Sequence, residues 1–133
     1  MKGYPFATRV RVLWGDMDAL GHVNNTRFFR WFEQARIEYC ASLGLGVDVP
    51  GAVGPILATA TCEFLKPVVY PAELVVGVRA GKIGRTSVTL EYALARADDE
   101  EAHYARGTSV VVLIRYTTGE KVALTDEMRQ KMG

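Results

Sequence analysis

Trp14-Gly15-Asp16-Met17-Asp18-Ala19-Leu20-Gly21-His22-Val23-Asn24-Asn25 packs two carboxylates, an imidazole, two carboxamides and two glycines into one short run. The run has little apolar surface to bury and follows neither a helical nor a strand period. Arg9 to Leu13, just before it, alternates polar and apolar residues as a strand does. From Phe28 onward the chain is strongly apolar at helical spacing. The run is therefore a strand-to-helix turn loaded with chemistry. Loops on rigid flanks are where such groups are usually placed for function.

Working outward, Asn24 or Asn25 offers a carboxamide oxygen to cap the helix that follows. The spacing predicts that helix over Thr26 to Leu43. Phe28, Phe32, Ala35, Tyr39 and Leu43 follow three- and four-residue steps, Trp31 adjoins them, and Phe29 and Ile37 widen the face. A face so wide predicts a helix wrapped by a sheet on more than one side, and Gly44 is a natural stop. Upstream, residues 1–8 read as a short leader and Arg9 to Trp14 as the first strand. Downstream, residues 44–55 hold four glycines and two prolines and read as a loop, the rim of a pocket.

Four strand-like segments complete the chain: Ile56 to Phe64, Ala72 to Ile83, Thr86 to Ala97 and Glu101 to Tyr116, rich in Val, Thr, Leu and Tyr. Leu65-Lys66-Pro67 and Tyr70-Pro71 separate the first two. Gly81-Lys82-Ile83-Gly84 and Asp98-Asp99-Glu100 mark hairpin turns. Residues 117–121 turn once more, and Thr125 starts a short terminal helix. One strand, one long helix and four strands joined mainly by tight turns predict an α+β protein with an antiparallel-rich sheet. One helix cannot cover both faces of such a sheet, so a second subunit is expected to cover the remaining apolar area or to continue the sheet edge.

The totals bound the function. A chain of 133 residues predicts one domain, 1–133, with one real core. A net charge of +1 argues against a nucleic-acid surface, which needs a marked basic excess. The apolar runs are too short to span a bilayer and the N-terminus lacks a signal core, so no membrane insertion and a cytoplasmic location are expected. Cys40 and Cys62 share no metal-ligand spacing and read as free thiols in a reducing compartment.

GDMDALGHVNN, followed by an aromatic-rich helix ending near EQARIEY, resembles the hotdog-fold thioesterases. It is similar to the 4-hydroxybenzoyl-CoA thioesterase and acyl-CoA thioesterase group and to the plant acyl-ACP thioesterases. The resemblance is dense over residues 9–40 and continues through residue 116. It implies a hotdog fold, a five-stranded antiparallel-rich sheet curled around one long helix, with active sites formed across a dimer interface. It implies an acyl-CoA thioesterase acting as a homodimer or homotetramer, without metal and with no cofactor beyond the CoA of the substrate. By motif position, Asp18 matches the family's catalytic aspartate. Asn25 matches the position whose backbone N–H contacts the thioester carbonyl, and His22 matches the histidine of the plant motif. That motif has Asn where this chain has Leu20. The Tol-Pal-associated thioesterases carry Val at the position of His22 and Tyr-His at Asn24-Asn25. Asp18 is common to all three patterns. Lys82 to Ser87 resembles the turn that holds the nucleotide-pantetheine part of CoA, with Arg85 at a CoA-contacting position and Thr86 and Ser87 supplying hydroxyls.

The chemistry fits these residue types. Thioester hydrolysis needs a polarised carbonyl, an attacking water or carboxylate, and a grip on the pantetheine arm. A thiolate leaves readily, so no strong general acid is required. A carboxylate serves as base for water or as nucleophile, and N–H groups at a helix N-terminus serve as the oxyanion site. Asp18 is thus the expected base or nucleophile and Asn25 the oxyanion donor, with His22 and Asn24 orienting water or Asp18. Asp16 is expected to brace the turn, and His103, Glu33, Arg36 and Glu63 to be structural or surface residues. Asp16, Asp18 and His22 are also the residue types of a metal site. Two rival functions carry distinct expectations. A hotdog hydratase places His five positions after Asp in a D-x-N-P-hydrophobic-H run, whereas His22 follows Asp18 by four and Asp16 by six, without Pro. An acyl-binding protein without turnover keeps the motif, and an acyl-ACP carrier is the alternative to CoA.

Overall fold

A computed structural model describes residues 1–45 and 52–133, so half of the expected glycine-rich rim of residues 44–55, namely 46–51, lies outside the described residues. In chain order the elements are β1 (Phe6–Arg11), a single 3-10 turn (Trp14–Asp16), α1 (Asn25–Ser42), β2 (Val53–Phe64), β3 (Glu73–Ile83), β4 (Ser87–Arg96), β5 (Asp99–Arg115) and α2 (Asp126–Met132). The five strands form one antiparallel sheet in the order β1-β3-β4-β5-β2. The sheet curves around α1, which is the hotdog arrangement.

Helix α1 forms where its period predicts, one residue earlier at each end. Phe28, Trp31, Phe32, Ala35, Tyr39 and Cys40 are buried on it. Burial of each large member contributes roughly 1.5–3 kcal/mol. They meet the inner faces of β3 (Leu74, Val76, Val78), β4 (Val88, Leu90, Tyr92, Leu94) and β5 (Ala105, Val111, Leu113). Phe32 of the helix lies over Gly107 of β5, where a Cβ would lie 2.6 Å from Phe32 Cε2 and 2.7 Å from Thr61 O. Only a glycine lets Phe32 lie there, stacked on Tyr92 with ring centroids 4.9 Å apart. The helix ends in a Schellman turn, in which Leu45 N–H donates to Cys40 O and Gly44 N–H to Ala41 O, both at 3.0 Å. Phe29 and Ile37 depart from expectation. They stay exposed, Phe29 even though its ring lies edge-on to Phe64 of β2 with centroids 6.3 Å apart.

Four expectations from the sequence shift. Residues 6–8 are no leader: Phe6, Ala7 and Thr8 pair with Val78, Gly77 and Val76, so the first strand runs Phe6–Arg11 rather than Arg9 to Trp14. Ahead of it, Tyr4 packs on Gly77 and sits 4.5 Å beneath the Arg79 guanidinium. Gly54 and Pro55 belong to β2, not to a loop. Pro is tolerated there because β2 is an edge strand and needs no donor on its free side. The β3–β4 turn falls at 84–86, since Gly81 to Ile83 continue β3 through an irregularity after Ala80. The β4–β5 turn is the two residues Ala97 and Asp98. Of the described residues, no helix is long and apolar enough to cross a membrane.

Candidate active site

The polar run closes on itself. Asp16 N–H donates to Leu13 O and Met17 N–H to Trp14 O, which makes the 3-10 turn. The chain then doubles back: Asp18 N–H donates to His22 O at 2.9 Å, Gly21 N–H to Asp18 O at 3.1 Å, and Asn24 N–H to Asp16 O at 2.9 Å. Met17 and Val23 bridge across this miniature hairpin. Gly21 turns it with φ +84°, a left-handed conformation that a Cβ would disfavour. Val23 N–H donates to Val68 O at 2.8 Å, which pins the hairpin to the β2–β3 connection.

The two carboxylates have different surroundings. Asp16 is buried; its Oδ2 accepts from Leu13 N–H at 2.8 Å and its Oδ1 lies 3.3 Å from Arg27 Nε. It braces the turn, as its sequence position suggested. Asp18 is half-buried, and its Oδ1 accepts from Leu20 N–H at 2.9 Å. Its Oδ2 accepts no hydrogen bond among the described residues.

Asn24 is the helix cap. Its Oδ1 accepts from Thr26 N–H at 2.9 Å and from Thr26 Oγ1 at 2.7 Å, and its backbone oxygen accepts from Arg27 N–H. The N–H of Asn25, first residue of α1, has no partner among the described residues. It is an open donor at the positive end of an 18-residue helix. Asn25 and His22 line one cavity of about 210 Å³ with Phe28, Phe64, Lys66 and Pro67. Lys66 was not singled out from the sequence. It lies far along the chain, and only the pairing of Leu65 and Lys66 N–H groups with Tyr104 O brings it to this wall.

Arg85, Thr86 and Ser87 are elsewhere. Arg85 and Thr86 lie in the β3–β4 turn and Ser87 opens β4; Leu124 N–H donates to Arg85 O, Leu113 N–H to Thr86 O and Gly84 N–H to Ser87 O. Arg129 of α2 donates to Gly84 O at 2.8 Å. The Arg85 side chain is exposed and enters no ion pair among the described residues. The Asp18 hairpin joins the sheet at the Glu73 end of β3, and this turn follows the Ile83 end. Ten residue steps of strand separate the two ends, on the order of 33 Å. Within one chain His22 and Asn25 share a cavity wall, Asp18 sits on the same hairpin but is not among the residues that line that cavity, Asn24 caps the helix, and Arg85, Thr86 and Ser87 lie at the opposite end.

Burial pushes the thiols of both Cys40 and Cys62 up to about 11, so neither offers a thiolate near neutral pH. His103 lies on the sheet beside Tyr4 and Arg106, away from the hairpin. Among the described residues no group of three His, Cys, Asp or Glu side chains is placed to hold a metal ion.

Residues 12–132 match the model of the thioesterase-like superfamily. This chain belongs to that superfamily. It is a hotdog-fold thioester hydrolase. It resembles the PA2801 protein of Pseudomonas aeruginosa (34% identity, TM-score 0.88, 96% of this chain and 97% of that one). A Thermus thermophilus thioesterase solved with coenzyme A and Zn is similar too, at 30% identity and TM-score 0.81 over 99% and 94% of the two chains. The uncharacterised protein YsmA of Bacillus subtilis is 28% identical over 97% of this chain and 86% of its own.

Proposed function

We propose that this thioester hydrolase cleaves acyl-CoA to the free acid and CoA, working as a symmetric homodimer or as a tetramer of two such dimers. The observation that carries the chemistry is Asn25 in the wall of the His22 cavity, with a backbone N–H that has no partner among the described residues. A thioester carbonyl seated there would meet the N–H group and the positive end of the helix dipole together. Water then adds to the carbonyl carbon as Asp18 takes its proton. The tetrahedral oxyanion forms against Asn25, the C–S bond breaks, and its electron pair leaves on the CoA sulfur. Attack by Asp18 itself would form a mixed anhydride that water cleaves to the same products. His22 orients the attacking group, and Asn24 serves by holding the helix terminus in place. Lys66 adds positive charge where the oxyanion and the thiolate appear.

The grip on CoA comes from the far turn. Arg85 beside Thr86 and Ser87 suits phosphate through charge-assisted hydrogen bonds. A second copy antiparallel to the first would bring its Arg85 end to this chain's Asp18 end, so each centre would use both chains. The Thermus thioesterase solved with coenzyme A supports CoA as the carrier. The free thiols Cys40 and Cys62 suit a reducing compartment such as the cytoplasm.

Release of free thiol from a panel of short, long and aromatic acyl-CoAs, with acyl-ACP as a parallel arm, tests this. Turnover of acyl-CoA is expected. Turnover of acyl-ACP alone would reassign the carrier, and turnover of neither would overturn the acyl-CoA reading.

A further inference from the structure

Asn25, Phe29, Glu33 and Arg36 follow one another at three- and four-residue steps, so they share one stripe of α1. Strand β2 faces that stripe, with Phe64 at the Asn25 end and Leu57 at the Arg36 end. Two cavities lie along this track. The first is the His22 cavity, with Asn25 and Phe64 in its wall. The second, of about 120 Å³, is bordered by Phe29, Arg36, Leu57, Tyr92 and Ser109. Phe64 of the first meets Phe29 of the second edge-on, with ring centroids 6.3 Å apart, so the cavities adjoin. Both rings are at least 40% exposed, and neither is locked in the core.

The second cavity has a polar, buried floor. Arg36 is 8% exposed, and Tyr92 and Ser109 are each 1% exposed. The Tyr92 and Ser109 hydroxyls share a hydrogen bond. A guanidinium has five N–H donors. Among the described residues, Arg36 Nη1 donates to Tyr92 Oη at 3.5 Å and Nη2 lies 4.0 Å from Glu33 Oε2, both at the outer limit of such contacts. The Glu33 side chain is 54% exposed, so water screens much of its charge. A buried guanidinium is matched best by a carboxylate in close, forked contact. Here that place at the end of an adjoining cavity is open.

We propose that the second cavity is the far end of the acyl site, and that the preferred acyl group ends in a carboxylate. The substrate class is then the CoA monothioester of a straight-chain dicarboxylic acid. With its thioester carbonyl on the Asn25 N–H, the chain passes Phe29 and Phe64, and its terminal carboxylate pairs with Arg36. The Tyr92 and Ser109 hydroxyls meet its remaining lone pairs. Eleven residues of helix rise roughly 16 Å, and the Arg36 side chain leans back toward the helix N-terminus, so the two ends of the acyl group lie on the order of 10 Å apart. A plain alkyl chain would set its methyl end against the guanidinium and leave the donors unfilled, which is costly. A hydroxyl end would fill a donor or two and supply no countercharge. Glu33 turns out into water as the substrate carboxylate takes its place. This inference rests on the acyl-CoA hydrolysis proposed above and names its substrate class.

The test is thiol release from CoA monothioesters of diacids graded in length, each beside the plain and the terminally hydroxylated acyl-CoA of the same length. The native chain is expected to favour the diacid over the plain chain by at least about tenfold in kcat/KM, as a charge-assisted hydrogen bond supplies. In Arg36→Gln that ratio is expected to collapse to one or below, with Arg36→Lys intermediate. The ratio is taken within each variant, so loss of folded enzyme cancels from it. A preference that survives Arg36→Gln would overturn the role of Arg36, and a preference for the hydroxylated chain would overturn the carboxylate. Should Arg36→Gln fail to fold, Glu33→Gln decides, since Glu33 is largely exposed. Removing the competing carboxylate is expected to raise the diacid preference several-fold, and an unmoved or lowered ratio would overturn the proposal. If plain acyl-CoAs are cleaved and diacid thioesters are not preferred, this inference falls and the acyl-CoA reading stands. If no acyl-CoA is cleaved at all, both fall.

Discussion

At the base of the polar hairpin, Asp16 has both carboxylate oxygens engaged, one by Leu13 N–H and one by Arg27. At its tip, Asp18 has one oxygen on Leu20 N–H and the other without a partner among the described residues. The same side chain, two residues apart, thus has two different surroundings. A carboxylate whose lone pairs are all committed to the fold is a poor proton acceptor, because taking a proton would cost it those bonds. One with a free oxygen can take a proton without giving up a bond that holds the fold. On the proposed mechanism, partner count more than residue type separates the brace, Asp16, from the proposed base, Asp18.

The sharpest way to break this comparison is to neutralise each carboxylate in turn. Asp18→Asn keeps the shape and removes the base. It is expected to lower kcat by at least about a hundredfold, since general base catalysis supplies 10² to 10⁴, with the thermal melt nearly unchanged. Steady-state kinetics beside calorimetry checks it. Normal turnover in Asp18→Asn would show that the wrong carboxylate has been chosen. Asp16→Asn is expected to behave oppositely. An amide cannot accept at both positions, so about 2 kcal/mol of stability is lost while kcat in the surviving fold stays within a few-fold. Denaturant titration and kinetics together read both quantities, and a well-folded, inactive Asp16→Asn would invert the assignment.

Arg85→Ala extends the comparison to the far end of the sheet. It is expected to raise KM for acyl-CoA several-fold and to leave kcat almost untouched, because a phosphate contact is equally strong in ground and transition states. An unaltered KM would take Arg85 out of the site. The smallest effect concerns the core thiol Cys40. Burial raises it to about 11 from an ordinary value of 9.0. The folded state therefore favours the protonated thiol. That stability is fully present below pH 9 and is lost as pH rises from 9 to 11, because the unfolded chain ionises first. Melting temperatures should fall across that window, and Cys40→Ala should fall less steeply. An identical slope would mean that other groups, such as the buried Tyr39 and Tyr92 hydroxyls, set the decline.

Much of this was legible along the chain. Helix α1 follows from its three- and four-residue apolar steps, its Asn24 cap and its Gly44 stop, which are local signals. The hairpin between Asp18 and His22 is also local, since five residues and a glycine suffice to close it. The resemblance carried by GDMDALGHVNN pointed to the superfamily that the match over residues 12–132 establishes. Strand existence was legible too, because alternation and turn residues mark it. Strand ends were less so: Phe6 to Thr8 and Val53 to Pro55 become strand only through partners more than fifty residues away.

By itself, then, the sequence determined the helix, its cap, the catalytic-type turn and the superfamily. Each depends on residues within a few turns of one another, where backbone geometry links spacing directly to contact. Tertiary structure alone decided that β2 crosses the whole sheet to become an edge and that Lys66 joins the wall beside His22. It also decided that Arg36 is buried, and that Arg85 stands a strand's length from Asp18. Alternating residues read the same in a central strand and an edge strand, because the period of two reports which face is buried and not which neighbour lies alongside. Strand order is set by non-local hydrogen-bond pairing, and what remains unpaired at an edge exists only once every other strand has found its place.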